Sequence, residues 1–325
     1  LVDGTNNVAI GHECLAACTS SNNVAIGYKV LDAQTSGGNN VGIGYRALSA
    51  TNSSYSVAIG TDALRTEATS GSNVAIGGLS MQTSDGASNN VAVGKQTGYL
   101  LTTGDYNCFV GSNCGFNQTT AGENTAMGYT ALYSNTTGQE NTIIGSRANY
   151  GGTTASNNTV VGFRTLYTAS TGHSNTVMGA DAMYSTTTGH TNTAVGINAG
   201  YNITSGDRNI CIGSNARVSD GADYRSIIIS TYEGSGKGNN TFFITAGTGS
   251  GNGYQGNNSS AWATTSDRRI KKNIVENTDG LNKIEQIQVK NFEYRTKDEI
   301  TDWTGDDKET VVIEATEEPE VEEKE

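Results

Sequence analysis

Asn22-Asn23-Val24-Ala25-Ile26-Gly27 returns as Asn39-Asn40-Val41-Gly42-Ile43-Gly44, and keeps returning along most of the chain. The closing glycines are Gly11, Gly27, Gly44, Gly60, Gly77, Gly94, Gly111, Gly128, Gly145, Gly162, Gly179, Gly196 and Gly213. Ten of the twelve intervals are 17 residues and two are 16. A fixed period of this length marks a repeat architecture. Aligned on the glycine, the preceding residue is always apolar, from Ile10 to Ile212. Two before stands a mostly small residue such as Ala9, Ala58 or Ala126, and three before a β-branched one except at Cys108. Four before is Asn in twelve of thirteen repeats, Asn7 to Asn209, with Ser56 the exception. Three after comes a small residue (Ala47, Ala131, Ala199), and four after is often Leu or Met (Leu15, Leu48, Leu132, Leu166, Met183).

These columns read as a short β-branched strand ended by a residue that tolerates unusual backbone angles. Side chains alternate faces along a strand. Val and Ile therefore share one face, and Asn and Ala the other. We expect the first to fill the coil's own core, and the Ala-rich second to meet a neighbouring strand or chain. Thr-Thr-Gly (Thr137-Gly138, Thr171-Gly172, Thr188-Gly189) reads as a turn. One strand and a turn cannot bury an apolar face alone, whereas stacked units can. The expectation is an all-β, parallel β-solenoid of about 13 coils with a 17-residue period. At about 4.8 Å per coil it would be a rod roughly 60 Å long. Asn7 to Asn209 would form an amide ladder. Tyr99, Phe116, Tyr133, Tyr150, Tyr167, Tyr184 and Tyr201 would stack as a second ladder. That column either stiffens the rod or offers a stripe for sugar rings.

Composition agrees with repetition. The 325 residues include 42 Gly and one Pro, with 35% hydrophobic residues, fewer than one conventional core needs. The formal charge of −12 is a tail effect. Of 32 acidic and 20 basic residues, 13 acids and 2 bases fall in 298–325, which leaves 19 and 18 over the first 297. A nearly neutral body offers no basic stripe, so no nucleic-acid partner is expected. No apolar run is long enough to span a membrane, so no membrane insertion is expected. No signal peptide is visible. Leu1 to Thr5 already lead into a repeat, which reads as a fragment of a longer protein. Five Cys (Cys14, Cys18, Cys108, Cys114, Cys211) fit neither a zinc site nor a disulfide framework, and read as small buried hydrophobes, Cys18 excepted. His12, His173 and His190 lack metal spacing, so no metal and no cofactor are expected.

The unit Asn22 to Gly27 resembles the repeat of YadA-like trimeric adhesin heads. The longer form Asn124 to Gly138 is similar to repeats in phage tail fibres. The resemblance covers about 6–218. It implies a left-handed parallel β-roll with three chains side by side, that is, a homotrimer.

After Gly213 the period reads as stopping. Arg225 to Thr231 and Thr241 to Thr245 read as strands among Gly-rich stretches. The resulting layout is 1–218 solenoid shaft, 219–265 Gly-rich β connector, 266–297 chaperone-like segment and 298–325 acidic, disordered tail. The third segment opens on Ser266-Asp267-Arg268-Arg269-Ile270-Lys271-Lys272-Asn273-Ile274. An amphipathic helix candidate follows at Gly280 to Ile287, then a strand at Gln288 to Arg295, so the segment reads as small and α+β. It resembles the endosialidase-type C-terminal intramolecular chaperone of phage tail spikes and fibres. That resemblance implies self-cleavage between Thr265 and Ser266, with Ser266 as nucleophile and Lys271 as its base. A Ser hydroxyl needs such a base, and Arg268, Arg269 and Lys272 would lower the Lys271 pKa by like-charge repulsion. The family's later Gly-x-Ile-Ala-Gln-Glu-like motif is missing, so the module reads as truncated.

The function expected is a structural fibre or spike shaft of a virion. Its expected partners are copies of itself, other virion tail proteins and a host cell-surface glycan or protein. A bacterial trimeric surface adhesin is the alternative. A glycan hydrolase would need converging carboxylates, and Asp62, Asp181 and Glu13 are scattered in one exposed column. An ice-binding role for the Thr125 to Thr193 ladder is set aside because that strand face is expected to be buried. No metabolic activity is expected beyond the autoproteolysis.

Overall fold

A computed structural model describes residues 4–50, 52–66, 71–245, 253–255 and 263–264. The first three strands, β1 (Val8–His12), β2 (Val24–Tyr28) and β3 (Val41–Tyr45), are followed by three-residue strands from β4 (Val57–Ile59) to β12 (Thr193–Val195). Then come β13 (Ile210–Ser214), β14 (Ile227–Tyr232) and β15 (Phe242–Thr245). Each strand pairs in parallel with the next, with equivalent residues opposite one another: Val8 with Val24, Ala9 with Ala25, Gly11 with Gly27, Thr159 with Thr176. The architecture is an all-β parallel solenoid of about 14 turns, with no helix among the described residues. Steps of 16 residues, such as Val41 to Val57, keep the same register as steps of 17, so the polar turn absorbs the missing residue.

The faces are the reverse of the sequence expectation. Asn and Ala point inward: Asn23, Ala25, Asn158 and Ala194 are fully buried. The Val, Thr and Ile columns point outward, and Thr125, Thr142, Thr159 and Thr176 are exposed. The Asn side chain decides this. In almost every coil its Oδ1 accepts the backbone N–H of the residue one coil on, at 2.8–3.1 Å. Its Nδ2 donates to a carbonyl 14 residues later, such as Gly172 from Asn158 (2.9 Å), closing its own coil. An amide with four such bonds must lie inside the coil, and strand parity carries Ala in with it.

Opposite Ala stands the Leu or Met column, which supplies the core's bulk. These residues sit at a corner with left-handed φ, 51° to 53° at Leu48, Leu132 and Leu166. That conformation costs about 1–2 kcal/mol per residue, and burying the Leu side chain returns about 1.5–3 kcal/mol. Core volume is conserved from coil to coil. Phe109 replaces the usual Ala, and the corner residues facing it are Gly98 and Gly115. A Cβ at Gly115 would lie 3.0 Å from the Phe109 ring.

The repeating glycine is required by backbone angle and by space. Its φ runs from +109° to +139°, and a Cβ there would fall against the carbonyl of the next coil. Turn hydroxyls add a further ladder: Thr102, Thr119, Thr136, Thr153, Ser170 and Thr187 each donate to the carbonyl 17 residues on, at 2.9–3.2 Å.

The stack also runs past 218. Ile210 pairs with Ile227, one more 17-residue step, and Ile227 with Phe242. Ser226 stands in the Asn column and Ser230 in the glycine column, so the marker residues change while the Ile strand persists. Two antiparallel strands, β16 (Gly253–Gln255) and β17 (Ala263–Thr264), then pair onto β15 in turn. The α+β segment expected at 266–297 and the tail at 298–325 lie outside the described residues.

All five Cys are free. Cys18 is fully buried, with Sγ against Ser20 and Gln34. Burial pushes the Cys114 and Cys211 thiols up to about 12. We expect Cys14 and Cys108, which are half-buried, to be alkylated by iodoacetamide at pH 8, and Cys114 and Cys211 to react only in denaturant. Peptide mass mapping reads this directly. The raised thiols stay neutral when folded, so their contribution to stability is complete below pH 9 and is lost as pH rises towards 12.

Candidate functional site

The rod's outward chemistry lies in columns. Two residues after each glycine is another left-handed corner, and its side chains pair from coil to coil: Lys29 Nζ with Glu13 Oε2 (3.2 Å), Arg46 Nε with Asp62 Oδ1 (3.7 Å), and Arg164 Nε with Asp181 Oδ1 (2.8 Å). The last pair is bidentate, because Arg164 Nη2 also donates to Asp181 Oδ2 at 2.9 Å. This hydrogen bond raises the Arg164 pKa above its ordinary value, and the Asp181 charge adds to it. Asp62, Asp181 and Glu13 are thus ion-pair partners rather than isolated exposed acids. The signal was available: opposite charges fall 16 or 17 residues apart in the glycine alignment.

Three residues further on runs the aromatic ladder. Tyr99 through Tyr201 stack in one unbroken series, with ring centroids 5.0–5.4 Å apart and planes within 13° of parallel. Internal rings have both faces covered by neighbours, so only their edges meet solvent. A sugar ring therefore cannot lie flat on the stripe between its ends.

At the C-terminal end of this ladder the surface is concave. A cavity of about 420 Å³ has Arg164, Asp181, Asn198 and Asn215 from the corner column, Tyr184 and Tyr201 from the ladder, and Arg217 from the turn after β13. It exists because the ladder stops. The next position in the Tyr column is Val218, which is buried in the core. Tyr201 stacks on Tyr184 alone among the described rings. The turn carrying Arg217 is held by backbone bonds on both sides: its N–H donates to Gly234 (2.7 Å) and its carbonyl accepts from Gly236 (2.7 Å). Asn198 Nδ2 donates to Asn215 Oδ1 at 3.0 Å. Arg217, exposed, has no ion-pair partner among the described residues. Sequence reading missed this cavity, whose sole trace is the Tyr column ending at Val218.

Two histidines stack as well, His173 on His190 at 4.8 Å, with His190 Nε2 3.4 Å from Asp207. Among the described residues no cluster of three or more His, Cys, Asp or Glu could hold a metal ion, and no helix is long and apolar enough to cross a membrane. Ser266 and Lys271, the residues expected to cleave the chain, lie outside the described residues.

Residues 266–312 match the family described as the chaperone of endosialidase. The match begins at Ser266 and reaches past 297 into the acidic stretch. No curated protein and no solved structure matches the chain.

Proposed function

We propose that the chain is the shaft of a virion tail fibre or spike, assembled as a homotrimer of left-handed β-rolls and followed by a C-terminal chaperone that releases itself. The carrying observation is a parallel solenoid with equivalent residues paired from coil to coil, joined in one chain to a segment matching the chaperone of endosialidase. The outward strand face supports side-by-side association. Met127, Ile144, Met178, Val195, Ile212, Ile229 and Ile244 are exposed in one column, which half-buried Val161 continues between Ile144 and Met178, and Met178 is 50% exposed. A contiguous apolar strip of this kind is a contact surface rather than ordinary solvent-facing surface. The trimer contact thus moves from the Ala face, which is spent on the coil's own core, to the Val and Ile face.

The release step follows from the chemistry of Ser and Lys. Lys271 takes the proton as Ser266 Oγ attacks the Thr265 carbonyl carbon. The Thr265–Ser266 C–N bond breaks and the Ser266 amine leaves protonated, giving an ester on Oγ. Water then hydrolyses the ester to the Thr265 carboxylate and a free Ser266 hydroxyl. In this reading the shaft continues through β14 and β15, the chain from there to 265 connects it to the chaperone, and the shaft carries its attachment to a host-surface glycan or protein in a virion alongside other tail proteins.

Mass spectrometry with sizing tests the proposal. The expected product ends at Thr265 and elutes as a trimer, while Ser266→Ala and Lys271→Ala stay full length. A wild-type product that remains intact and monomeric would refute both the chaperone and the trimer.

A further inference from the structure

We propose that the cavity at the end of the aromatic ladder binds an acidic saccharide, a pyranose ring bearing a carboxylate. The proposal rests on the fibre reading only in that such a shaft meets surface glycans.

Three features specify the class. First, Tyr201 is the ladder's terminal ring: it lines the cavity, and among the described rings it stacks on Tyr184 alone, so one of its faces has no stacked neighbour. An aromatic face carries the negative part of the ring quadrupole and attracts the weakly positive C–H groups of a sugar ring. Second, charge in the cavity is selective. Arg164 and Asp181 neutralise each other in a bidentate pair. Arg217 is the one lining charge without an ion-pair partner. A single guanidinium fork suits a single carboxylate, and the Asp181 carboxylate beside it disfavours a multiply charged phosphate. Third, the Asn198 and Asn215 amides offer both donors and acceptors, which is what ring hydroxyls require. The volume, about 420 Å³, lies in the range of small-molecule sites, about 300–1,000 Å³.

The site is also fixed in place. The backbone of Arg217 is clamped on both sides by Gly234 and Gly236, and Tyr201 is held by the column of rings beneath it. Ligand binding therefore orders little that is not ordered already, and preorganisation of this kind favours affinity.

The test is isothermal titration of the purified full chain with trigalacturonate, and with maltotriose as the neutral probe of equal length. We expect trigalacturonate to bind at least tenfold more tightly. Arg217→Gln should abolish that preference, and Tyr201→Ala should weaken both probes. Arg147→Gln, an exposed arginine of the same corner column that does not line the cavity, should leave binding unchanged. Thermal melts of each variant separate lost binding from lost fold, and Arg217→Gln changes no described side-chain bond. Equal affinity for the two probes, no trigalacturonate binding, or an unchanged preference in Arg217→Gln would each overturn the assignment. Cleavage and trimer size, read on the same preparation, show independently whether the fibre reading has failed.

Discussion

Gly128→Ala should cost about 3–5 kcal/mol and split the solenoid's unfolding into separate transitions on either side of the altered coil. Gly128 has φ +139°, and an added Cβ would sit 2.5 Å from the Gly145 carbonyl oxygen and 2.6 Å from its carbon. Backbone strain of this sort costs about 1–3 kcal/mol. The clash adds more, because both colliding atoms are main chain and the coils must move apart to relieve it. Separation breaks the pairing of Thr125–Met127 with Thr142–Ile144. In a linear repeat each unit touches only its neighbours, so a broken contact uncouples the two sides. Gly238→Ala is the control, with φ +102° and no atom within 4 Å of the added Cβ. It should pay the strain alone. Urea denaturation followed by circular dichroism would reject this account if the two variants lost equal stability.

The second large effect lies in the amide ladder. Asn158 is fully buried. Its Oδ1 accepts from the Asn175 backbone N–H (3.0 Å) and Nδ2 (3.1 Å), and its Nδ2 donates to Gly172 (2.9 Å) and Asn141 (3.2 Å). Asn158→Ala leaves the Asn175 N–H and the Gly172 carbonyl buried without these partners. An unsatisfied buried group costs about 1–3 kcal/mol, so a loss of about 3 kcal/mol is expected. Asn158→Ser should cost about half as much, because the chain already uses serine twice in this column. Ser56 Oγ accepts from the Asn73 N–H (3.4 Å), and Ser226 Oγ donates to Gly238 (2.7 Å). Thermal melts that rank Ser no better than Ala would show that the amide contributes through shape and not through hydrogen bonding.

Much of this fold was readable before any coordinates. Equivalent residues one coil apart meet in space, so a column in the alignment is a column in the protein. The strands, the Asn ladder and the Tyr99 to Tyr201 stack all follow from that. Which face turns inward did not follow, because apolar residues line both faces and alternation gives no polarity cue. Hydrogen-bond demand at Asn settles it, and the strand face bearing the Thr125 to Thr193 ladder is consequently exposed. With that, the reason for setting aside an ice-binding role disappears, although no observation favours one. The extra turn at Ile227 was hidden because Ser226 and Ser230 replace the marker Asn and Gly. Left-handed corners at Leu48 or Leu166 run against side-chain preference, and only burial explains them. The cavity at Arg217 arises where the pattern breaks, which is where a periodic reading has least to offer.

The tolerance of 16-residue steps bears on how such a protein changes over generations. Near-identical coils are encoded by near-identical stretches of gene, and misaligned recombination between them adds or deletes whole coils. Each product keeps its strands in line, because small errors of one codon vanish into the turn. The solenoid can thus lengthen or shorten by whole coils without redesigning any contact, provided the coils from Arg164 to Arg217 that line the cavity are kept.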